Sequence, residues 1–231
     1  METLGTDAVM NDDMLQMALR SYGYGRWDAP YWFIGLEQGQ GPHETDLGLR
    51  LKAWLELGAT ELCDCREFHK RIGEVRWHFK NPVDLQPTWR PLMLLLMTFL
   101  GRPADNESLR TYQRDQWGNL AGETCVIELS GLAAPKLKAP GDHNLFLTER
   151  VKVISERIQQ HKLSLVIMYG RTQKNSWNEI AETAFGKSIP DDNVLMSDTT
   201  TLAVAEHPVK HGLPNAYWVD FGTRLKKLVS E

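Results

Sequence analysis

Long hydrophobic stretches are missing from this sequence. The strongest, Leu92 to Leu100, covers about half of the roughly 20 residues that a membrane-spanning helix needs, so it reads as a buried helix. Cysteine is scarce. Cys63, Cys65 and Cys125 are odd in number and form no C-x-x-C pair or second cluster, which leaves reduced thiols, with Cys125 in the core, and no disulfide framework. The segment METLGTDAVMNDDML lacks the basic start and continuous apolar run of a secretory signal, so a cytoplasmic protein is expected. Positive charge is not in excess either. A formal net charge of −4 fits poorly with coating nucleic acid by bulk electrostatics, and any such partner would have to be gripped by a local patch. No internal repeat or low-complexity linker divides the 231 residues, which suit one domain spanning 1–231 with a core built without disulfide or metal.

Short apolar runs bounded by turn signals are present, and they alternate with helical patterns. Tyr31 to Gly35, Cys125 to Leu129 and Leu163 to Tyr169 read as buried parallel strands, with weaker ones at Val194 to Ser197 and Leu202 to Ala205. Thr148 is placed to cap a helix over Glu149 to His161, Ser176 to Phe185 stops at Gly186, and Ala216 to Val229 closes the chain. Alternation of this kind predicts a layered α/β fold with a mostly parallel sheet. Residues 44–122 depart from it, being rich in helical pattern and in tryptophan (Trp54, Trp77, Trp89, Trp117). They read as a helical insertion, with Thr88-Trp89-Arg90-Pro91 opening a buried helix.

Ligands of open α/β sheets bind beyond the carboxyl ends of the strands. The loops there are GLEQGQGPHE, SGLAAPKLKAPGDHN, GRTQKNSW and EHPVKHGLPN, and they hold Glu37, His43, Lys136, Lys138, His143, Arg171, Lys174, His207, Lys210 and His211. Such a rim would attract phosphate locally, and the glycines would let backbone N–H groups approach its oxygens. The bland alternative is a set of solvated polar loops. Gly35, Gly39 and Gly41 do not have the G-x-G-x-x-G spacing, and no G-K-[ST] occurs, so neither a dinucleotide nor a nucleoside triphosphate fingerprint is present.

An early strand ending in Gly35-Leu36-Glu37-Gln38-Gly39 and a late one ending in His207-Pro208-Val209 resemble the uracil-DNA glycosylase superfamily, whose members carry G-x-[D/N]-P-[Y/G] and H-P-S at these places. The resemblance runs from about Tyr31 to Leu228, and both motifs match imperfectly. It implies a three-layer sandwich around a central, mostly parallel four-stranded sheet with DNA across the strand ends. It also implies that Glu37 activates the attacking water and that His207 hydrogen-bonds the departing base. Both roles are physically sound, because a carboxylate stabilises an oxocarbenium-like sugar and a donor aimed at developing charge lowers the barrier. For His207 the alternative is a capping or core histidine. Leu213 would fill the gap left by an extruded base or else pack under the last helix, with Lys210 and His211 near phosphates. Lys136, Lys138, Arg171 and Lys174 are candidate backbone contacts. Gly35, Gln38, Gly39, Glu128 and Ser130 would line the base pocket, with Glu128 either accepting from an amino group or paired internally.

The departures narrow the substrate. Gly39 stands where the classical uracil enzymes have a tyrosine that blocks 5-substituted bases; mismatch-specific and single-strand-selective branches also have glycine there but asparagine at the third position, and Glu37 followed by Gln38 belongs to neither pattern. Four cluster-binding cysteines are missing, as is the H-x-E with P-C-x-x-C of zinc deaminases, and no cofactor or metal is expected. The expectation is a monomeric, monofunctional DNA glycosylase that flips out a modified or deaminated pyrimidine, on double- or single-stranded DNA, and leaves an abasic site. A bulky 5-modified cytosine of phage DNA, hence anti-phage defence, is the favoured substrate. Uracil repair, a nucleoside hydrolase that does not use DNA, and a catalytically silent nucleic-acid-binding module are the alternatives.

Overall fold

The apolar runs become strands of one sheet in a computed structural model that describes residues 12–36, 45–131 and 146–230. In chain order the strands are β1 (Gly23–Tyr24), β2 (Tyr31–Gly35), β3 (Leu62–Cys63), β4 (Thr124–Glu128), β5 (Leu165–Tyr169), β6 (Val194–Met196) and β7 (Thr201–Ala205). They lie side by side as β3-β1-β4-β2-β5-β7-β6. The expected four-stranded sheet is therefore corrected to seven strands. Its centre, β4-β2-β5-β7, is parallel throughout, whereas β1 on β4 and β6 on β7 pair antiparallel.

The two short strands β1 and β3 carry no periodic signal because each is two residues long and exists only by pairing with strands distant in sequence, β3 with β1 and β1 with both β3 and β4. Gly23 has φ +143, and a Cβ there would lie 2.2 Å from the Val126 carbonyl oxygen. A glycine that reads as a turn residue is what lets this strand close onto β4. Since β3 joins the sheet, the 44–122 region contributes an edge strand as well as helices.

Helices cover both faces. In chain order they are α1 (Asp12–Arg20), α2 (Thr45–Glu56), α3 (Cys65–Arg71), α4 (Trp89–Leu100), α5 (Asn106–Asp115), α6 (Leu147–Gln160), α7 (Lys174–Phe185) and α8 (Asn215–Ser230). The period of two sorts the strand residues. Phe33, Val126, Ile167 and Ala203 face one core with α2 to α5 and α8, while Trp32, Ile34, Cys125, Ile127, Val166 and Met168 face the other with α6 and α7. Helix α4 is apolar on nearly every side because it runs inside the first core. Trp89, Leu92, Met93, Leu95, Leu96 and Phe99 are all buried, each contributing about 1.5–3 kcal/mol. Pro91 sits in its first turn as expected, but Thr88 makes no cap; the Gln86 side chain accepts from the Trp89 N–H instead (2.7 Å). Thr148 does not cap α6 either, because that helix already starts at Leu147 behind Phe146, whose φ is 59. Gly186 ends α7 in the left-handed conformation predicted for it. Among the described residues no helix is long and apolar enough to cross a membrane.

All three cysteines are free and buried. Arg150 is fully buried and, among the described residues, has no carboxylate partner. Its guanidinium lies over the Tyr22 ring and donates to the carbonyls of Leu129 (2.7 Å), Glu128 (2.7 Å) and Ala18 (3.0 Å). Burial holds its pKa down to about 10, so it stays charged and ties the end of β4 to α1 and α6.

Candidate active site

Four strands deliver their last residues to one row. Gly35 is in register with Glu128, Ile34 with Met168, and Tyr169 with Ala205, so the final row of the central sheet reads Glu128, Gly35, Tyr169, Ala205. Period-two alternation turns Glu128, Gly35 and Tyr169 to the same face as Phe33, Val126 and Ile167. Strands β4 and β5 are about 10 Å apart with β2 between them, yet their side chains meet. The Tyr169 hydroxyl donates to Glu128 Oε1 at 3.0 Å, directly above Gly35. A Cβ on residue 35 would lie 2.1 Å from Glu128 Oε2 and 2.3 Å from the Tyr169 hydroxyl oxygen. Glycine is needed here for close approach, since the space of its missing side chain is occupied by this pair.

The pairing continues past the strands. Leu129 N–H donates to the Gly35 carbonyl (2.9 Å), Ser130 N–H to that of Leu36 (2.7 Å) and Gly170 N–H to that of Ala205 (3.1 Å), so the loops leave the sheet side by side. Trp177 Nε1 anchors the loop after β5 by donating to the Gly170 carbonyl (2.8 Å). Burial and the Glu128 carboxylate both push the Tyr169 hydroxyl well above its ordinary pKa, which keeps it a donor.

His207 stands at the end of this row. Its ring meets that of Tyr169 edge to face, with centroids 5.9 Å apart. The Val209 N–H points at its Nδ1 from 3.4 Å, a long contact that favours the tautomer with the proton on Nε2. Burial lowers its pKa, so the imidazole is neutral at neutral pH. His207 nevertheless keeps an exposed edge, whereas Glu128 and Ser130 are buried at the floor of the row.

The basic rim is partly neutralised. Glu206, almost buried, pairs with Arg171 through Oε1 (3.1 Å) and with Lys210 through Oε2 (3.0 Å). Two of the candidate phosphate contacts are thus bound to one carboxylate, which leaves a single excess positive charge among the three. Lys174 opens α7 on the exposed surface, and His211 is exposed in the late loop. Leu213 is half-buried against the first core, and Val209 is the exposed apolar side chain of that loop. Glu37, Gln38, Gly39, Lys136 and Lys138 lie outside the described residues, as do His43 and His143.

The structure thus brings together Gly35, Glu128, Ser130 and His207, and adds Tyr169 and Glu206, which sequence reasoning missed. A usable signal was present: Gly35, Glu128 and Tyr169 are each the last residue of a strand, and the last residues of neighbouring parallel strands share a row. A cavity of about 600 Å³ lined by Gln159, His161, Lys162, Lys187, Asp198 and Thr199 lies at the opposite, amino ends of β5 and β7. It is remote from this row. No family model matches the chain, and no curated protein does either.

Proposed function

We propose that the chain is a DNA glycosylase that hydrolyses the N-glycosidic bond of a modified pyrimidine. One observation carries this reading: a carboxylate, a hydroxyl and a neutral histidine converge at the carboxyl edge of the sheet, over a glycine that admits close approach. The parallel centre β4-β2-β5-β7, with helices on both faces, is compatible with the uracil-DNA glycosylase-like sandwich that the end-of-strand motifs resemble.

In this reading a flipped base enters beside Gly35. The Glu128 carboxylate, held by Tyr169, accepts a hydrogen bond from an amino group or ring N–H of the base, and His207 Nε2–H donates to its carbonyl oxygen. The glycosidic bond breaks with its electron pair going to the base, whose developing charge His207 stabilises. Water adds to the anomeric carbon and gives up a proton, the step assigned to Glu37. Glycine rather than tyrosine at position 39 suits a 5-substituted cytosine of phage DNA, and defence would be its purpose. Val209 is better exposed than Leu213 to enter the gap in the duplex, and Lys174, Lys210, His211, Arg171, Lys136 and Lys138 would meet phosphates.

The test is to incubate the protein with oligonucleotides carrying uracil, cytosine, hydroxymethylcytosine or glucosylated hydroxymethylcytosine, and to measure released base and alkali-labile sites. Release from the bulky cytosines, lost in Glu37→Gln, is the expected result. Folded protein that releases no base from any of them would sink the proposal. The Glu206 pairing with Arg171 and Lys210 weakens the expected grip on phosphate and favours a second reading, hydrolysis of free nucleosides. Turnover of nucleosides without DNA binding would select it.

A further inference from the structure

A second cluster of chemically capable groups lies away from the sheet edge. Cys65 is the first residue of α3, His69 is one turn later on the same face, and His78 follows the 3-10 turn Val75–Trp77 and folds back onto them. All three are buried. Cys65 Sγ lies 3.5 Å from His69 Nδ1 and 3.6 Å from His78 Nε2, and the three donor atoms fall within 4.8 Å of one another.

These separations have a specific meaning for a metal. A zinc ion about 2.3 Å from sulfur and about 2.0–2.1 Å from nitrogen, in tetrahedral geometry, places sulfur and nitrogen about 3.6 Å apart. Both measured edges agree with that value. The donor set, one thiolate and two imidazoles, is borderline-soft and suits zinc better than magnesium or calcium. Neighbouring backbone is placed to orient the ligands. His78 Nδ1 is buried without a hydrogen-bond partner among the described residues, and the nearby Arg114 carbonyl, which accepts from Asn119 Nδ2 (3.2 Å), could take its N–H after a small shift. Asn119 adjoins Gly118, whose missing Cβ would lie 3.6 Å from Cys65 Sγ, and Asn119 Oδ1 is buried without a hydrogen-bond partner among the described residues.

We propose that Cys65, His69 and His78 bind a structural zinc ion that staples α3 and the turn after it to the core. On binding, the Cys65 thiol gives its proton to solvent and the thiolate sulfur takes the metal. His69 Nδ1, 2.7 Å from the Cys65 carbonyl, carries the ring proton in the metal-free cluster. That proton moves to Nε2 as Nδ1 becomes a ligand, so His69 stays neutral. The site is sealed, so its role is stability, and it is independent of glycosidic chemistry at the sheet edge.

Without metal, the same distances would be held by thiol–imidazole hydrogen bonds, and the experiment has to separate the two. Full-length protein purified without chelator is assayed for zinc, then exchanged into cobalt(II) and scanned for a thiolate-to-cobalt charge-transfer band with tetrahedral d–d bands. Stoichiometric zinc, that band, and a fall in Tm after chelation that added zinc reverses are expected. The band should vanish in Cys65→Ser and shift in His78→Gln. If those variants do not fold, the wild-type spectrum and zinc content decide the matter alone. Sub-stoichiometric zinc, cobalt bound without a thiolate band, or a Tm indifferent to chelator and zinc would overturn the proposal.

Discussion

The row at the sheet edge and the cluster under α3 are both built from ionisable groups, and they are assembled in opposite ways. Glu128, Tyr169 and His207 come from three strand ends far apart in the chain, and one of them keeps an exposed edge. Cys65, His69 and His78 come from fourteen consecutive residues and are sealed. The first is held by sheet register, the second by helical spacing. A cluster that keeps a solvent-facing donor can meet a ligand and release it, whereas a sealed one can only hold what it took up on folding.

That contrast can be broken at the sheet without touching the helix. Arg150→Met strips the carbonyls of Glu128, Leu129 and Ala18 of their donor, and leaving these groups buried should cost about 3–5 kcal/mol in urea unfolding. Base release should fall further than the folded fraction explains, while the cobalt spectrum of the folded fraction stays that of wild type. Equal damage to both clusters would show that they are not independently held.

His207→Ala removes the exposed donor alone. Stability should barely change, and single-turnover base release should drop by about 10²–10³-fold, the usual worth of a donor aimed at developing charge. Unchanged release would move the chemistry off this row. Gly35→Ala forces a methyl into the space shared by Glu128 and Tyr169, and a destabilisation of about 1–3 kcal/mol is expected from overpacking. Wild-type stability there would mean that the Tyr169–Glu128 contact is looser than 3.0 Å implies.

The smallest effect is in pH. Burial lowers the folded pKa of His207 below its ordinary 6.5, so the unfolded chain binds the proton first. The associated stability is present above about pH 6.5 and is lost as the pH falls through the folded value. The Tm difference between wild type and His207→Gln should therefore shrink modestly on acidification, measured by scanning calorimetry. A constant difference would show that His207 is not desolvated.

Much of the fold was legible in the residues. Tyr31–Gly35 was readable to the residue, and the ends of β4, β5 and β7 were readable within two, because an apolar run between turn signals is a local pattern. The two-residue strands β1 and β3 were not legible, since their hydrogen bonds are made only with partners distant in sequence. At the candidate site Gly35, Glu128 and His207 could be singled out as strand-end residues. The clamp of Glu206 on Arg171 and Lys210 could not, because a charged side chain reads as solvated until its partner is known.

By itself the sequence determined the alternation of strand and helix, the buried character of α4 and the one-turn spacing of Cys65 and His69, all of which follow from periodicity within a few residues. Only the tertiary structure decided that Glu128 and Tyr169 would meet across Gly35, that Arg150 would be buried among carbonyls, and that His78 would fold back onto Cys65. The first two depend on which strand lies beside which and in what register, a choice made by the packing of the whole sheet, and the third on how the turn after α3 packs back against that helix.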